Sequence, residues 1–258
     1  MWNSLRRFLG AVARGVLRWM PSAVLDTLSA RMDIVRRWRR VIRTVPPPSG
    51  SYHSQYGQDV FLAKLLEGRV DKGFFVDIGA YDGVTNSNTL LLERQFGYEG
   101  LLVEPNPRAA AKARNSRVSE VVNCGIAEIS GQLRFIACDG YGEQLSCFRE
   151  LADHEHLKRI ACEQMMHGFS IEELVVDVVP IANLLSAREV RSITVLSVDA
   201  EGAEYAILKS FPFGSVSVSV VIVEANNADD VEDHLEANGF LLRAVVGTDL
   251  VFVRRSGI

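Results

Sequence analysis

Cysteine is scarce in this sequence, with four residues in 258: Cys124, Cys138, Cys147 and Cys162. Four in so long a chain do not make a disulfide scaffold, and no two form a C-x-x-C pair, which argues against a cysteine zinc site and points to a reducing compartment. Long apolar runs are missing too. No stretch approaches the roughly 18 uninterrupted apolar residues of a membrane span, and the first run, Phe8 to Ala13, is cut by Arg14 before it reaches the length of a signal-peptide core. These absences describe an intracellular, cytoplasmic chain that does not span a membrane. Glycine and proline, at 20 and 8 residues, stay near their average share, so disorder, collagen and low complexity are excluded as global descriptions. No repeat of fixed period is visible, which removes solenoids and propellers. Neither G-x-G-x-x-G nor G-x-x-x-x-G-K-[ST] occurs, so a phosphate cradle for a dinucleotide or a nucleoside triphosphate is disfavoured.

What is present divides by charge. The formal charge of -4 conceals an arm, residues 1–45, with ten arginines against only Asp26 and Asp33, and a remainder with 18 bases and 30 acids. In the arm, Leu5, Phe8, Leu9, Val12, Val16 and Trp19 recur at helical spacing with Arg7, Arg14 and Arg18 opposite. A second periodic stretch sets Ile34, Trp38 and Ile42 among Arg36, Arg37, Arg39, Arg40 and Arg43. The expectation is a basic amphipathic helical arm, closed by the Pro-rich linker at 46–53. Such an arm suits peripheral contact with an anionic membrane surface. Docking on the acidic domain or on a second subunit is the alternative, and the lack of a recognisable motif argues against nucleic acid.

From residue 54 to 258 short β-rich runs alternate with helical patterns, which predicts an α/β domain with a parallel sheet covered by helices. Helices are expected over 57–66, 89–95, 107–113 and 203–210. Strands are expected over 73–78, 100–103, 118–123, 133–137, 175–179, 193–198 and 218–223, and a closing antiparallel pair turns at Gly247-Thr248. Between Gly140 and Ser170 periodicity fades, which marks either an insertion shaping a substrate pocket or a pair of surface helices.

Chemistry is written at the strand ends. Phe74 to Ile78 is an apolar strand carrying Asp77 near its tip, followed by the glycine loop Gly79-Ala80-Tyr81-Asp82-Gly83. A carboxylate beside a loop whose backbone can approach a ligand suits a group with an ammonium and a sulfonium better than phosphates. Glu104, at the tip of the next strand, offers two acceptor oxygens to the hydroxyls of a ribose; an acid ahead of the helix from Pro107 is the plainer reading. Asp199, Glu201 and Glu204 follow one predicted central strand and Glu224 and Asn226 another. Acids converging on one rim are costly without a cation, a metal or a catalytic task, although Asp199 and Glu201 also suit helix capping.

Taken in order, Ser54-Gln55-Tyr56-Gly57-Gln58-Asp59, Val76 to Gly83, Ser87-Asn88-Thr89, Glu104-Pro105-Asn106-Pro107, Ser197 to Glu204 and Asp249 to Val253 resemble the FkbM family of S-adenosylmethionine-dependent methyltransferases. The resemblance runs from about Ser54 to Arg254 and leaves out the arm. It implies a class I methyltransferase (Rossmann-like) seven-stranded sheet with a terminal antiparallel hairpin, S-adenosyl-L-methionine as donor, and O-methylation of a hydroxyl on a sugar, glycan, glycolipid or natural product. By position Asp77, Gly79, Ala80 and Gly83 would line the methionine part, Glu104 the ribose, and Asn123 to Ile126, including Gly125, the adenine side. Asn88 and Asn106 complete the cofactor-binding set. Where the family often has an acid after the early glycine, this chain has Gln58, to which no ionic role is assigned.

An alcohol is a poor nucleophile until its proton leaves, so a rim carboxylate is expected as general base. Asp199 is the preferred base and Glu201 the residue that holds the acceptor or tunes that acid, with Glu224 and Asn226 as second choices. Asp199, Glu201 and Glu224 offer the oxygens that Mg²⁺ or Ca²⁺ would take, but their spacing does not force a ligand set, and no metal ligand is assigned. His154 and His156 would serve as base only if the 140–170 segment folds over the rim. Rivals from other classes are a non-catalytic scaffold recruited by the basic arm and, more weakly, a nicotinamide oxidoreductase.

Overall fold

The computed structural model describes residues 42–43, 52–68, 72–152, 154–224 and 228–255. It divides into two units, Met1–Arg43 and Thr44–Ile258. In the first, Ile42–Arg43 is a two-residue strand, β1. This corrects the expected helix at its end: Ile42 is β-branched and follows the β-branched Val41, which favours extended backbone over helix. The rest of the predicted arm, the linker up to residue 51, and Asn226 lie outside the described residues.

In the second unit the elements are α1 (Gln58–Leu66), β2 (Phe74–Ile78), α2 (Leu90–Phe96), β3 (Glu99–Val103), α3 (Pro107–Ser116), β4 (Glu120–Val122), β5 (Gly125–Ile126), β6 (Gly131–Cys138), a 3₁₀ helix (Gly140–Leu145) and β7 (Cys147–Phe148). They continue as α4 (His154–His167), β8 (Ile171–Val179), α5 (Ile181–Ala187), β9 (Ser192–Val198), α6 (Glu204–Ser210), β10 (Ser217–Glu224), α7 (Ala228–Ala237), β11 (Phe240–Val246) and β12 (Asp249–Arg254). Seven strands form the main sheet in the order β11-β12-β10-β9-β2-β3-β4. All pairings from β4 to β10 are parallel, and β12 runs antiparallel to both β10 and β11. The expected closing hairpin is thus present, turning at Gly247-Thr248.

Phe75, Leu101, Leu102, Val195, Leu196, Val220 and Val221 are fully buried, the near-continuous apolar runs that a parallel sheet needs when both faces are covered. Chain order moves outward in opposite directions from the neighbouring strands β2 and β9. Right-handed crossovers therefore place α2 and α3 on one face and α6 and α7 on the other. The reversal opens a crevice at the carboxyl ends of β2 and β9, where open α/β sheets bind ligands.

Two strands expected in the series, Leu133 to Ala137 and Val175 to Val179, do not join this sheet. They belong to a second, four-stranded sheet in the order β5-β8-β6-β7, in which β6 and β8 pair antiparallel along their length. Arg134, Glu173 and Asp177 explain the difference, because charges at these positions cannot be buried on both faces as a central parallel strand requires. Alternation along β6 splits its side chains between two small cores. Phe135 and Ala137 pack with Phe148, Val176 and Val178, whereas Ile136 and Cys138 pack with Leu145, Cys147 and Ile160 of α4.

Candidate active site

A cavity of about 500 Å³ opens at the crevice, walled by the ends of β2, β3, β9 and β10 and by residues of the second sheet and its 140–170 segment. Its floor is the turn after β2. Gly79 has φ 83, and a Cβ there would run into the Asp199 carbonyl oxygen; only glycine lets the turn pass so close to the end of β9. Gly79 N–H and Ala80 N–H both donate to Val103 O, at 2.9 and 3.3 Å, which locks the loop to β3. Asp77 is buried, and its Oδ2 accepts from Thr89 Oγ1 at 2.6 Å. Burial raises its pKa, while the Thr89 bond, the Arg117 charge and Ser197 oppose that rise.

Arg117 underpins the loop. Its buried side chain donates to Glu93 Oε1 (3.0 Å), Gly83 O (2.9 Å), Ser87 Oγ (3.3 Å) and Thr89 Oγ1 (3.0 Å). The predicted cofactor residue Gly83 therefore does not line the cavity. A Cβ on it would meet Arg117 Cγ and Ala113, so its bare backbone serves to seat the arginine.

Glu104 stands beside the floor, buried at 6% exposure. Its Oε2 accepts from Tyr81 N at 2.8 Å and its Oε1 from Asn106 N at 2.7 Å. Each oxygen retains a lone pair for a ligand hydroxyl. Burial is the main reason its pKa is pushed up to about 7, against the two backbone bonds and with Asp77 and Glu143 adding repulsion. Asn106 caps α3 by accepting from Arg108 N at 3.0 Å. Asn123, expected on the adenine side, instead donates to Glu104 O and Pro105 O at 2.8 and 2.9 Å; it fixes the turn that presents Glu104 and is not itself a wall residue. Cys124, Gly125 and Ile126 do line the cavity, and a Cβ on Gly125 would strike the Phe148 ring.

The acidic rim is as expected and larger. Asp199, Glu201 and Glu224 bring carboxylate oxygens within 4.8 Å of one another. Asp249, opposite Glu224 in the β10/β12 pair, joins them. Desolvation first, then Glu224, Glu201, Asp249 and Glu204, lift the Asp199 pKa well above the carboxylate range. Burial and Glu224 raise Glu201 to about 8, with Arg159 opposing, and burial raises Asp249 to about 6. Glu204 caps its own loop, accepting from Ala200 N at 2.9 Å and Gly202 N at 3.0 Å. Gln58 Nε2 donates to Asp249 Oδ2 at 3.1 Å, so the neutral residue at this position spares the rim another negative charge. Asn88 Nδ2 lies 3.4 Å from Ser197 Oγ and 3.5 Å from Asp249 Oδ2, and its Oδ1 is buried without a partner.

These raised values fix how stability depends on pH. Glu104, Glu201 and Asp249 bind protons more tightly folded than unfolded, so the folded state carries more protons between the ordinary carboxylate range and about pH 8, and stability falls as pH rises through that window. The Tm of the free protein is expected to drop between pH 6 and pH 8.5, each kcal/mol lost lowering it by about 2–4 °C. Scanning fluorimetry that showed a flat or rising Tm over this range would contradict the assignment.

The 140–170 segment does wall the site. Tyr81 Oη donates to Glu143 Oε2 at 2.6 Å, and Lys112 Nζ lies 2.8 Å from Glu143 Oε1, so the 3₁₀ helix is clasped to the floor loop and to α3. On α4, His156 is buried and approaches Glu201. Of the predicted site residues, Asp77, Gly79, Ala80, Asn88, Glu104, Asn106, Gly125, Asp199 and Glu201 meet at one cavity. The sequence assigns no role to Arg117, Tyr81, Glu143 or Asp249; Tyr81 lies in the glycine loop and Asp249 opens the last strand, whereas Arg117 and Glu143 carry no local signal.

Among solved structures the chain is similar to the methyltransferase FkbM of Methylobacillus flagellatus KT, at 16% identity, TM-score 0.44, covering 72% of this chain and 45% of that one. The chain thus spans less than half the length of that protein. It is also similar to a methyltransferase of Pyrococcus furiosus (14% identity, TM-score 0.41, 92% and 100% coverage) and to a TehB-like SAM-dependent methyltransferase of Corynebacterium glutamicum ATCC 13032 Kitasato (11% identity, TM-score 0.38, 88% and 98% coverage). No curated protein matches it at a significant level. The family model of the methyltransferase FkbM domain, however, matches residues 77–244, from the acid of β2 into β11. The chain belongs to the FkbM methyltransferase family.

Proposed function

We propose that this protein is an S-adenosyl-L-methionine-dependent O-methyltransferase acting on a hydroxyl of a sugar, glycan, glycolipid or small natural product. The observation that carries the reading is the juxtaposition of the Gly79 floor with the carboxylates of Asp199 and Glu201 at the neighbouring strand end.

The cavity's donor set fits the methyl donor. Gly79 keeps open a space that a Cβ would close, the buried Asn88 Oδ1 lacks a donor such as an ammonium would supply, and the Glu104 oxygens each have room for one more hydrogen bond. When bound, S-adenosyl-L-methionine supplies an electrophilic methyl group on a positively charged sulfur. Asp77 and Asn88 would hold its amino-acid end, Glu104 its ribose, and Gly125 and Ile126 its adenine. Glu201 would orient the acceptor hydroxyl and Asp199 would take its proton, the oxygen gaining the methyl group as the methyl–sulfur bond breaks and the sulfur leaves as the neutral thioether of S-adenosylhomocysteine. Holding both reactants in line contributes about 7–11 kcal/mol of the barrier reduction, and base catalysis a further factor of roughly 10²–10⁴.

Glu104→Ala is expected to weaken binding of S-adenosylhomocysteine by about tenfold to hundredfold, the worth of hydrogen bonds to a charged group. Wild-type affinity is expected to decline as pH falls below about 7, where Glu104 takes up a proton. Calorimetry reads both, and unchanged affinity in the variant would remove the ribose role. The function itself is tested by incubating the full chain with radiolabelled methyl donor and fractionated cell glycans, lipids and small molecules. Label in a base-stable ether of a hydroxylated fraction is the expected result. Cofactor binding with no transfer to any fraction would favour the scaffold reading.

A further inference from the structure

His156 sits on the second-sheet side of the cavity, on α4, and is 6% exposed. Its Nε2 lies 3.0 Å from the carbonyl oxygen of Leu145. A carbonyl only accepts, so Nε2 carries a hydrogen whatever the charge of the ring. That leaves Nδ1, 3.5 Å from Glu201 Oε2. Nδ1 is thus the ring atom that faces the Glu201 carboxyl group, on the side away from the Leu145 tether. The tether is firm. Leu145 ends the 3₁₀ helix and packs with Cys138, Cys147 and Ile160, and Ser146 Oγ donates to Glu143 O and accepts from Cys138 N at 2.7 and 3.0 Å.

The other end of the contact is strained. Glu201 has φ 46, a left-handed conformation that a non-glycine residue holds only where the surroundings impose it. Gly202, at φ 103, completes the turn, and its N–H is fixed by Glu204. The backbone thus throws the Glu201 side chain toward α4. The titratable and charged groups facing that carboxylate are Asp199 and Glu224 at the neighbouring strand ends, Glu204 of its own loop and Arg159 of α4, and Cys147 of β7 lies within its field.

We propose that His156 is a positioning residue for Glu201, reaching from the 140–170 segment to hold its carboxyl group at the acceptor side of the rim. The inference rests on the O-methyltransferase reading for its purpose, though not for its geometry. It gives the segment a role in transfer beyond enclosing the cavity, since an acceptor oriented by Glu201 is oriented indirectly by α4.

The first test is ¹⁵N-histidine NMR on the full chain, with the His156 signals identified by their loss in His156→Asn. The wild type is expected to show Nε2 protonated and an Nδ1 shift set by the Glu201 carboxyl group, so that Glu201→Gln moves Nδ1 while leaving Nε2 in place. Identical Nδ1 shifts in the two proteins would overturn the proposal. The second test compares His156→Phe with His156→Asn, whose amide overlies the Nδ1 position. Affinity for S-adenosylhomocysteine is expected to stay within about twofold in both. Turnover on the labelled fraction is expected to fall about 10- to 100-fold in the phenylalanine variant and to be partly restored in the asparagine one. Equal losses, or a loss confined to KM for the methyl donor, would count against positioning. A wild type that labels no fraction yet shows the Glu201-dependent shift would sink the methylation reading and leave the contact standing.

Discussion

Replacing Arg117 with alanine is expected to cost about 3–5 kcal/mol of stability, the range for removing one partner from a buried ion pair. The side chain is fully buried against Glu93, and its guanidinium lies 5.3 Å from the centre of the Phe75 ring. Truncation takes the counter-charge from the buried Glu93 carboxylate, leaving it only the backbone donors of Val118 and Ser119, and removes the guanidinium donors to the Gly83 carbonyl and the Thr89 hydroxyl at once. Because Thr89 is the donor to Asp77, the loss also propagates to the cavity floor. Arg117→Lys keeps the charge but not the fork that reaches four acceptors, so it is expected to recover only part of the stability. Urea denaturation gives the number, and an alanine variant within about 1 kcal/mol of wild type would show that the network is dispensable.

Asp199→Asn carries the second large effect, and it falls on chemistry and not on folding. The backbone of Asp199 is already committed, its N–H to Ile78 O at 2.9 Å and its carbonyl against Gly79, so an isosteric side chain leaves the floor unchanged. Affinity for S-adenosylhomocysteine is expected to remain within about threefold while kcat falls about 10²- to 10⁴-fold, the contribution of a general base. The raised pKa of Asp199 makes it a better proton acceptor than an exposed aspartate, and the wild-type rate is expected to climb with pH as its proton is lost. A fully active variant would end the assignment. Turnover is expected to withstand a chelator; sensitivity to EDTA would recast Asp199, Glu201 and Glu224 as ligands of a divalent cation.

The parts of this site that were legible in the sequence share one property, locality. Asp77, Glu104, Asp199 and Glu224 each end or follow an apolar run, and a run of that kind locates the carboxyl end of its own strand without reference to the rest of the chain. Gly79 was legible for the same reason. What escaped was non-local. Nothing around Arg117, which lies between Ser116 and the exposed Val118, announces a buried side chain, because its four acceptors come from residues 83–93. For His156 the sequence offers only a condition, that the 140–170 segment fold over the rim, and the second sheet that brings α4 against the β9 end is what meets it. Gly83 and Asn123 were near enough in sequence to the ligand loops to be counted with them, yet one side of a turn can face a ligand while the other packs inward. The second sheet was hidden because strand propensity says which segments are extended, not which edges they pair with.

The pairing of β5 with β8 sets Gly125 opposite Val178 and Ile126 opposite Val179, so the chain leaves the main sheet and returns toward it through two adjacent strands. Everything between, from β6 to α4, enters and leaves through that narrow doorway and is pinned a second time by the Tyr81 and Lys112 contacts with Glu143. A segment with neighbouring entry and exit can be exchanged or resized without disturbing the strands that frame it. Chimeras that exchange the stretch between Ile126 and Val178, keeping the Tyr81 and Lys112 contacts with Glu143, are therefore a practical way to vary the second sheet while the strand ends that wall the cavity stay in place.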